Sequence, residues 1–151
     1  VTYQWAIVGG TQPCRTVTHH HYAETVRLCA AMTGIGMAHA TTFPSFPDSD
    51  HLADADFRDE RPVTDRSRAY LRALRAIQVD HGSHGRDRVP GIPSHKLSSA
   101  DHWHVTAPEC IEALAAYDAA RRTGFPLPAR LADDIVPFLR HAARSSGFRV
   151  S

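Results

Sequence analysis

Tyr3, Trp5 and Ile7 alternate with Gln4, Ala6 and Val8, a period of two that predicts a strand with its larger apolar groups on one face. Gly9-Gly10-Thr11-Gln12-Pro13 stops it. Thr16 or Thr18 then caps a predicted helix on which Tyr22, Val26, Cys29 and Thr33 fall at helical spacing, with Gly34 suited to its left-handed end. A further strand fits between Ile35 and Phe43, weakened by Gly36. Residues 44–62 are loop-like. A second helix follows, capped by Asp65, with Tyr70, Leu71, Leu74 and Ile77 on one face and Arg68, Arg72 and Arg75 opposite, ending at His81-Gly82.

Residues 82–100 are rich in Gly, Ser, Pro and charge, a connection long enough to carry function or mobility. Trp103-His104-Val105 reads as a short strand. The most complete local signal comes next: Thr106-Ala-Pro-Glu109 is a capping box with Pro108 in the first turn, and Val105 with Cys110 suits a hydrophobic staple. Ile111, Leu114, Ala115 and Tyr117 continue this third helix until Gly124. Asp133 or Asp134 caps a last helix with Ile135, Phe138, Leu139 and Ala142 inside, Gly147 closes it, and Phe148-Arg149-Val150 is expected as an edge strand. The pattern predicts a single α+β domain over 1–151, about four helices on a small mixed or antiparallel sheet. Its strands would be the N-terminal one, the segment after Gly34, residues 103–105 and the C-terminal three.

Composition narrows the function classes. With 17 basic and 16 acidic residues the formal charge is +1, which disfavours a globally basic nucleic-acid binder. Residues 48–60 hold six acids and one base and residues 61–75 hold five bases and one acid, so adjacent blocks of opposite sign neutralise each other. No apolar run approaches the roughly 20 residues of a membrane span, and no signal-peptide pattern opens the chain, so no membrane and a cytoplasmic location are expected. All basic residues but Lys96 are arginine. Cys14, Cys29 and Cys110 are widely spaced and odd in number, which points to reduced thiols.

Eleven histidines ask for a reason, because His is the commonest metal ligand and titrates near neutrality. His19, His20 and His21 cannot converge on one ion from a helix, where neighbours diverge by about 100°; only His20 and Glu24 share a face, and a solvated helix start explains the run. His102 and His104, alternate residues of a strand, can share a metal, and His81 or His84 could complete a three-ligand zinc site with water fourth. No Glu follows at HExxH spacing. Cys14 lies between a strand and a helix start, where amide dipoles can activate a thiol nucleophile, although no phosphate-cradling Arg stands six residues on. Cys29 and Cys110 read as small core residues.

Gly91-Ile-Pro-Ser-His-Lys-Leu-Ser-Ser-Ala-Asp-His-Trp-His-Val-Thr-Ala-Pro-Glu-Cys110, with Ala113-Leu114, Tyr117 and the closing Gly147-Phe-Arg-Val150, resembles uncharacterised proteins of actinobacteria and their phages. In these a lysine, a Ser-Asn-Asp-Gly-Trp-like turn and a Thr-Pro-Glu helix start recur; here Ala100 stands for the Asn and His102 for the Gly. The resemblance implies provenance and carries no activity.

The leading expectation is a small cytosolic binding or regulatory protein that engages a protein partner, with a small molecule as a further ligand class. Its site would be the segment around Lys96, Ser98, Asp101 and Trp103, a polar and aromatic loop beside a capped helix, in which Lys96→Ala, Asp101→Ala and His104→Ala should leave stability untouched. The alternative is scaffold, with Trp103 plugging the core, Asp101 and the serines satisfying turn amides and Lys96 solvated. The runner-up is a zinc-dependent hydrolase using His102 and His104 with His81 or His84. Nucleic-acid binding through Arg68, Arg72 and Arg75 ranks third.

Overall fold

The computed structural model describes residues 2–9 and 17–151. Strand β1 (Thr2–Ile7) pairs antiparallel with β2 (Val17–His21), and β2 runs directly into helix α1 (Tyr22–Gly34). His19, His20 and His21 therefore belong to a strand and not to a solvated helix start, and His20 is fully buried. This junction fixes the rotation of α1. Thr25, Leu28 and Met32 turn inward while Tyr22 and Val26 stay exposed, so the buried stripe lies one position away from the expected one.

Of the stretch after Gly34 only β3 (Ala38–His39) is extended, and it leaves the main sheet to pair in parallel with β6 (Ile92–Pro93). Between them lies a hairpin of β4 (Phe57–Arg58) and β5 (Arg61–Pro62), whose two turn residues Asp59 and Glu60 sit at φ 49° and 63°, the geometry of a tight two-residue turn. Asp56 organises this stretch from the inside: fully buried, it accepts from the Ala53 amide at 2.7 Å, Thr64 Oγ1 at 2.6 Å and Arg66 Nε at 2.6 Å. The acidic and basic blocks thus meet where the half-exposed Arg66 guanidinium reaches the buried Asp56 carboxylate. Helix α2 (Asp65–Val79) is capped by Thr64, whose hydroxyl accepts from the Ser67 amide, and not by the exposed Asp65.

Strand β7 (Trp103–Val105), helix α3 (Ala107–Arg122), helix α4 (Val136–Ala143) and strand β8 (Phe148–Val150) complete the chain. The capping box at Thr106 forms as expected, with both reciprocal bonds made. Asp133 and Asp134 lie inside a π-helical turn, Leu131–Ile135, that runs into α4, so neither caps it. The four-stranded sheet has the order β2-β1-β8-β7 with every neighbour antiparallel, which makes the fold α+β. The C-terminal strand sits between β1 and β7 and is not an edge. Gly147 permits its entry at φ +79°, because a Cβ there would lie 2.0 Å from the Val105 carbonyl oxygen.

One sheet face carries the core. Trp5, Trp103, Val105, Phe148 and Val150 pack with Cys110, Ala113 and Tyr117 of α3 and Phe138, Leu139 and Ala142 of α4. A tryptophan that hides about 200 Å² at about 25 cal/mol per Å² contributes roughly 5 kcal/mol, so Trp5 and Trp103 are principal anchors. The opposite face presents Gln4, Arg149 and His104 towards solvent. Among the described residues no helix is long and apolar enough to cross a membrane.

Candidate functional site

A short 3-10 turn, Ser94–Lys96, follows β6 and drives Lys96 into the interior, where its side chain is wholly buried. Its ammonium donates to the carbonyls of Val79 at 2.9 Å and His104 at 2.8 Å and to Glu109 Oε1 at 2.8 Å, with Oε2 at 3.0 Å. Glu109 is aimed there by the capping box, since the bond from the Thr106 amide at 2.9 Å turns its carboxylate back over the helix start. On its other side stands His81. Nδ1 lies 2.8 Å from Glu109 Oε1 and Nε2 lies 2.8 Å from the Val89 carbonyl. Both neighbours are oxygen acceptors, so both ring nitrogens of His81 are engaged. One buried carboxylate is thereby shared between a lysine ammonium and an imidazole. Burial pulls the Lys96 ammonium below the ordinary lysine value, and Glu109 opposes the shift.

Two more histidines adjoin this triad. The His39 ring lies 5.1 Å from that of His81, and burial, then the charge of His81, lowers its pKa. His95, nearly fully buried, packs edge-on against Trp103 at 4.8 Å and places Nδ1 2.7 Å from Thr41 Oγ1. Burial, then Lys96, brings His95 down to about 4, so it is neutral at pH 7.

The other side of these carbonyls opens to solvent as a cleft of about 260 Å³, lined by Arg75, Gln78 and Val79 of α2, by His102 and His104, and by Arg149. His104 and Arg149 are directly opposed on β7 and β8 and so project from the same sheet face. His102, at φ +60°, makes the bend into β7 in a conformation that favours glycine. Gln78 Nε2 donates to the Asp101 carbonyl at 2.9 Å, tying α2 to the same bend. Among the described residues neither Arg75 nor Arg149 has a carboxylate partner.

The residues singled out from sequence divide accordingly. His102 and His104 do meet in one cleft. His81 points away from them with both ring nitrogens engaged, and His84 is exposed beside Asp80 at 3.5 Å, so the proposed zinc set is split. No group of three or more His, Cys, Asp or Glu able to hold a metal occurs among the described residues. Trp103 lies in the core, as the scaffold alternative has it, whereas Lys96 is buried inside the molecule and is not solvated. Trp103 Nε1 donates to Ser99 Oγ at 2.7 Å, Ser99 Oγ to Asp101 Oδ2 at 2.6 Å, and Ser98 Oγ to the Ser94 carbonyl, so Ser98 and Asp101 stabilise the turn. Cys14 lies outside the described residues. Burial pushes Cys29 up to about 11 and Cys110 up to about 12, which keeps both thiols protonated, as small core residues should be.

Arg68 of the third expectation bonds Asp65 and the Val63 carbonyl, and only Arg75 reaches the cleft. Sequence reading passed over Arg149, Gln78 and His39. The strand pattern contained the signal for Arg149, an outward residue between two inward ones, but its neighbour across the strands could not be known. Comparison with protein-family models, with curated proteins and with solved structures finds no match to this chain.

Proposed function

We propose that this chain is a binding protein that engages a protein partner by accepting a negatively charged group in the cleft between α2 and the paired strands β7 and β8. The observation that carries this reading is that Arg75 and Arg149, both without carboxylate partners among the described residues, line one cavity with His102 and His104. Arginines beside acids on a surface usually form ion pairs; two left unpaired around one concavity offer charge-assisted bonds to an anion brought from outside. The tie from Gln78 to Asp101 and the buried triad behind the wall hold the cleft in shape before binding, which lowers the cost of ordering it.

The test is a calorimetric titration of the full chain with peptides carrying a central acidic or phosphorylated residue. Each guanidinium bond is worth about 1.5–3 kcal/mol, so Arg75→Gln and Arg149→Gln should each weaken binding at least about tenfold. Both are surface changes, and their thermal midpoints should match the parent. Equal affinity for parent and double variant would overturn the reading.

A further inference from the structure

We infer that the group taken by this cleft is a phosphomonoester on a protein side chain. The inference rests on the binding reading above and narrows its ligand. A carboxylate has two coplanar oxygens, and a single guanidinium fork satisfies both. Here the lining nitrogen-bearing side chains come from different directions: Arg75 from a helix, Arg149 from a central strand, His104 from the strand beside it, and His102 from the bend that enters that strand. Donors spread over three elements match the three terminal oxygens of a tetrahedral phosphoryl group. Two fixed positive charges also match a group carrying about −1.5 to −2 at neutral pH.

The surroundings agree. The His104 ring is held by its Nε2 at 2.6 Å from the Ser146 carbonyl, so it cannot swing away. Carboxylates close by in sequence are occupied: Asp80 faces the Gly82 amide and His84, and Asp101 faces Ser99. The Lys96 ammonium stands directly behind the Val79 and His104 carbonyls, to both of which it donates. At about 260 Å³ the cleft falls below the roughly 300–1,000 Å³ of cavities that enclose drug-sized molecules, which suits one side chain and not a run of nucleotides.

The experiment follows backbone amides of the isotopically labelled full chain by NMR while adding O-phosphoserine, glutamate or a short oligothymidylate at constant ionic strength. Phosphoserine should give saturable shifts at residues 75–79, 102–105 and 148–150, with glutamate at least tenfold weaker. Arg149→Gln should lose at least tenfold in phosphoserine affinity, and Arg121→Gln, which lines a different cavity, should lose none. If glutamate binds as well as phosphoserine, the phosphate assignment falls and the broader anion-binding reading stands. If the oligonucleotide saturates these residues and phosphoserine does not, the cleft reads diester backbones and the inference is wrong. Linear, unsaturable shifts with every probe would remove both readings.

Discussion

Lys96 is the one lysine among 17 basic residues, and its surroundings explain why arginine does not stand there. Three acceptors, the Val79 and His104 carbonyls and the Glu109 carboxylate, surround a point-like ammonium in a fully buried space, whereas a planar guanidinium is longer and spreads five donors in a fixed fork. Removing the ammonium leaves two carbonyls unpaired inside the protein and strips the Glu109 carboxylate of its lysine counter-charge, with only the Thr106 amide and His81 still beside it. Lys96→Met should therefore cost about 3–5 kcal/mol of unfolding free energy, and Lys96→Arg should also destabilise by overfilling the site. Urea unfolding measures both, and a loss under about 0.5 kcal/mol for the methionine variant would show that the ammonium reaches water. Sequence could not reveal this burial, because lysine is among the least buried residues and its stretch of Ser and His resembles a loop.

At the scale of elements, legibility followed locality. The start of α3 was legible because Thr106, Pro108 and Glu109 are all within one turn, and the turn forms as read. The inward stripe of α1 was not, since two stripes of similar apolarity run along it and the β2 junction chooses between them. Nor was the central place of β8, which depends on pairing with β1 across almost the whole chain. The capping box at α3 also has two halves that now separate. Thr106 Oγ1 accepts from the Glu109 amide at a long 3.4 Å, while the Glu109 side chain accepts from the Thr106 amide, Lys96 and His81. Thr106→Ala should cost about 1 kcal/mol, as for an ordinary cap, and Glu109→Ala about 3–5 kcal/mol because the buried Lys96 ammonium loses its counter-charge and His81 a hydrogen-bond partner. Denaturant midpoints of the two variants should differ by several-fold in stability loss; equal losses would mean that the carboxylate serves the helix start alone.

Across the whole molecule, the histidine bias that suggested metal on composition is partly a matter of burial. His20 and His95 are in the interior and burial lowers both, as it does the half-buried His39, so all three favour the neutral ring in the folded chain. A histidine whose folded value lies below its ordinary 6.5 stabilises the fold fully above that value, because there it is neutral in both states. Between 6.5 and about 4 the unfolded chain takes up the proton and the folded one does not, so stability falls as pH falls through this window. For His95 the gap corresponds to about 3 kcal/mol at about 1.4 kcal/mol per pH unit. Asp56, which Arg66 holds well below the usual carboxylate range, acts later, its contribution lost only below the ordinary 3.8. The parent should thus lose stability in two stages, the first from pH 6.5 to about 4. Measuring urea midpoints at half-unit intervals should show this first limb flattened in His95→Gln, which cannot titrate, while the limb below 3.8 persists. An unchanged upper limb in the variant would mean that His95 takes up its proton without cost, and the neutral interior inferred for it would have to be given up.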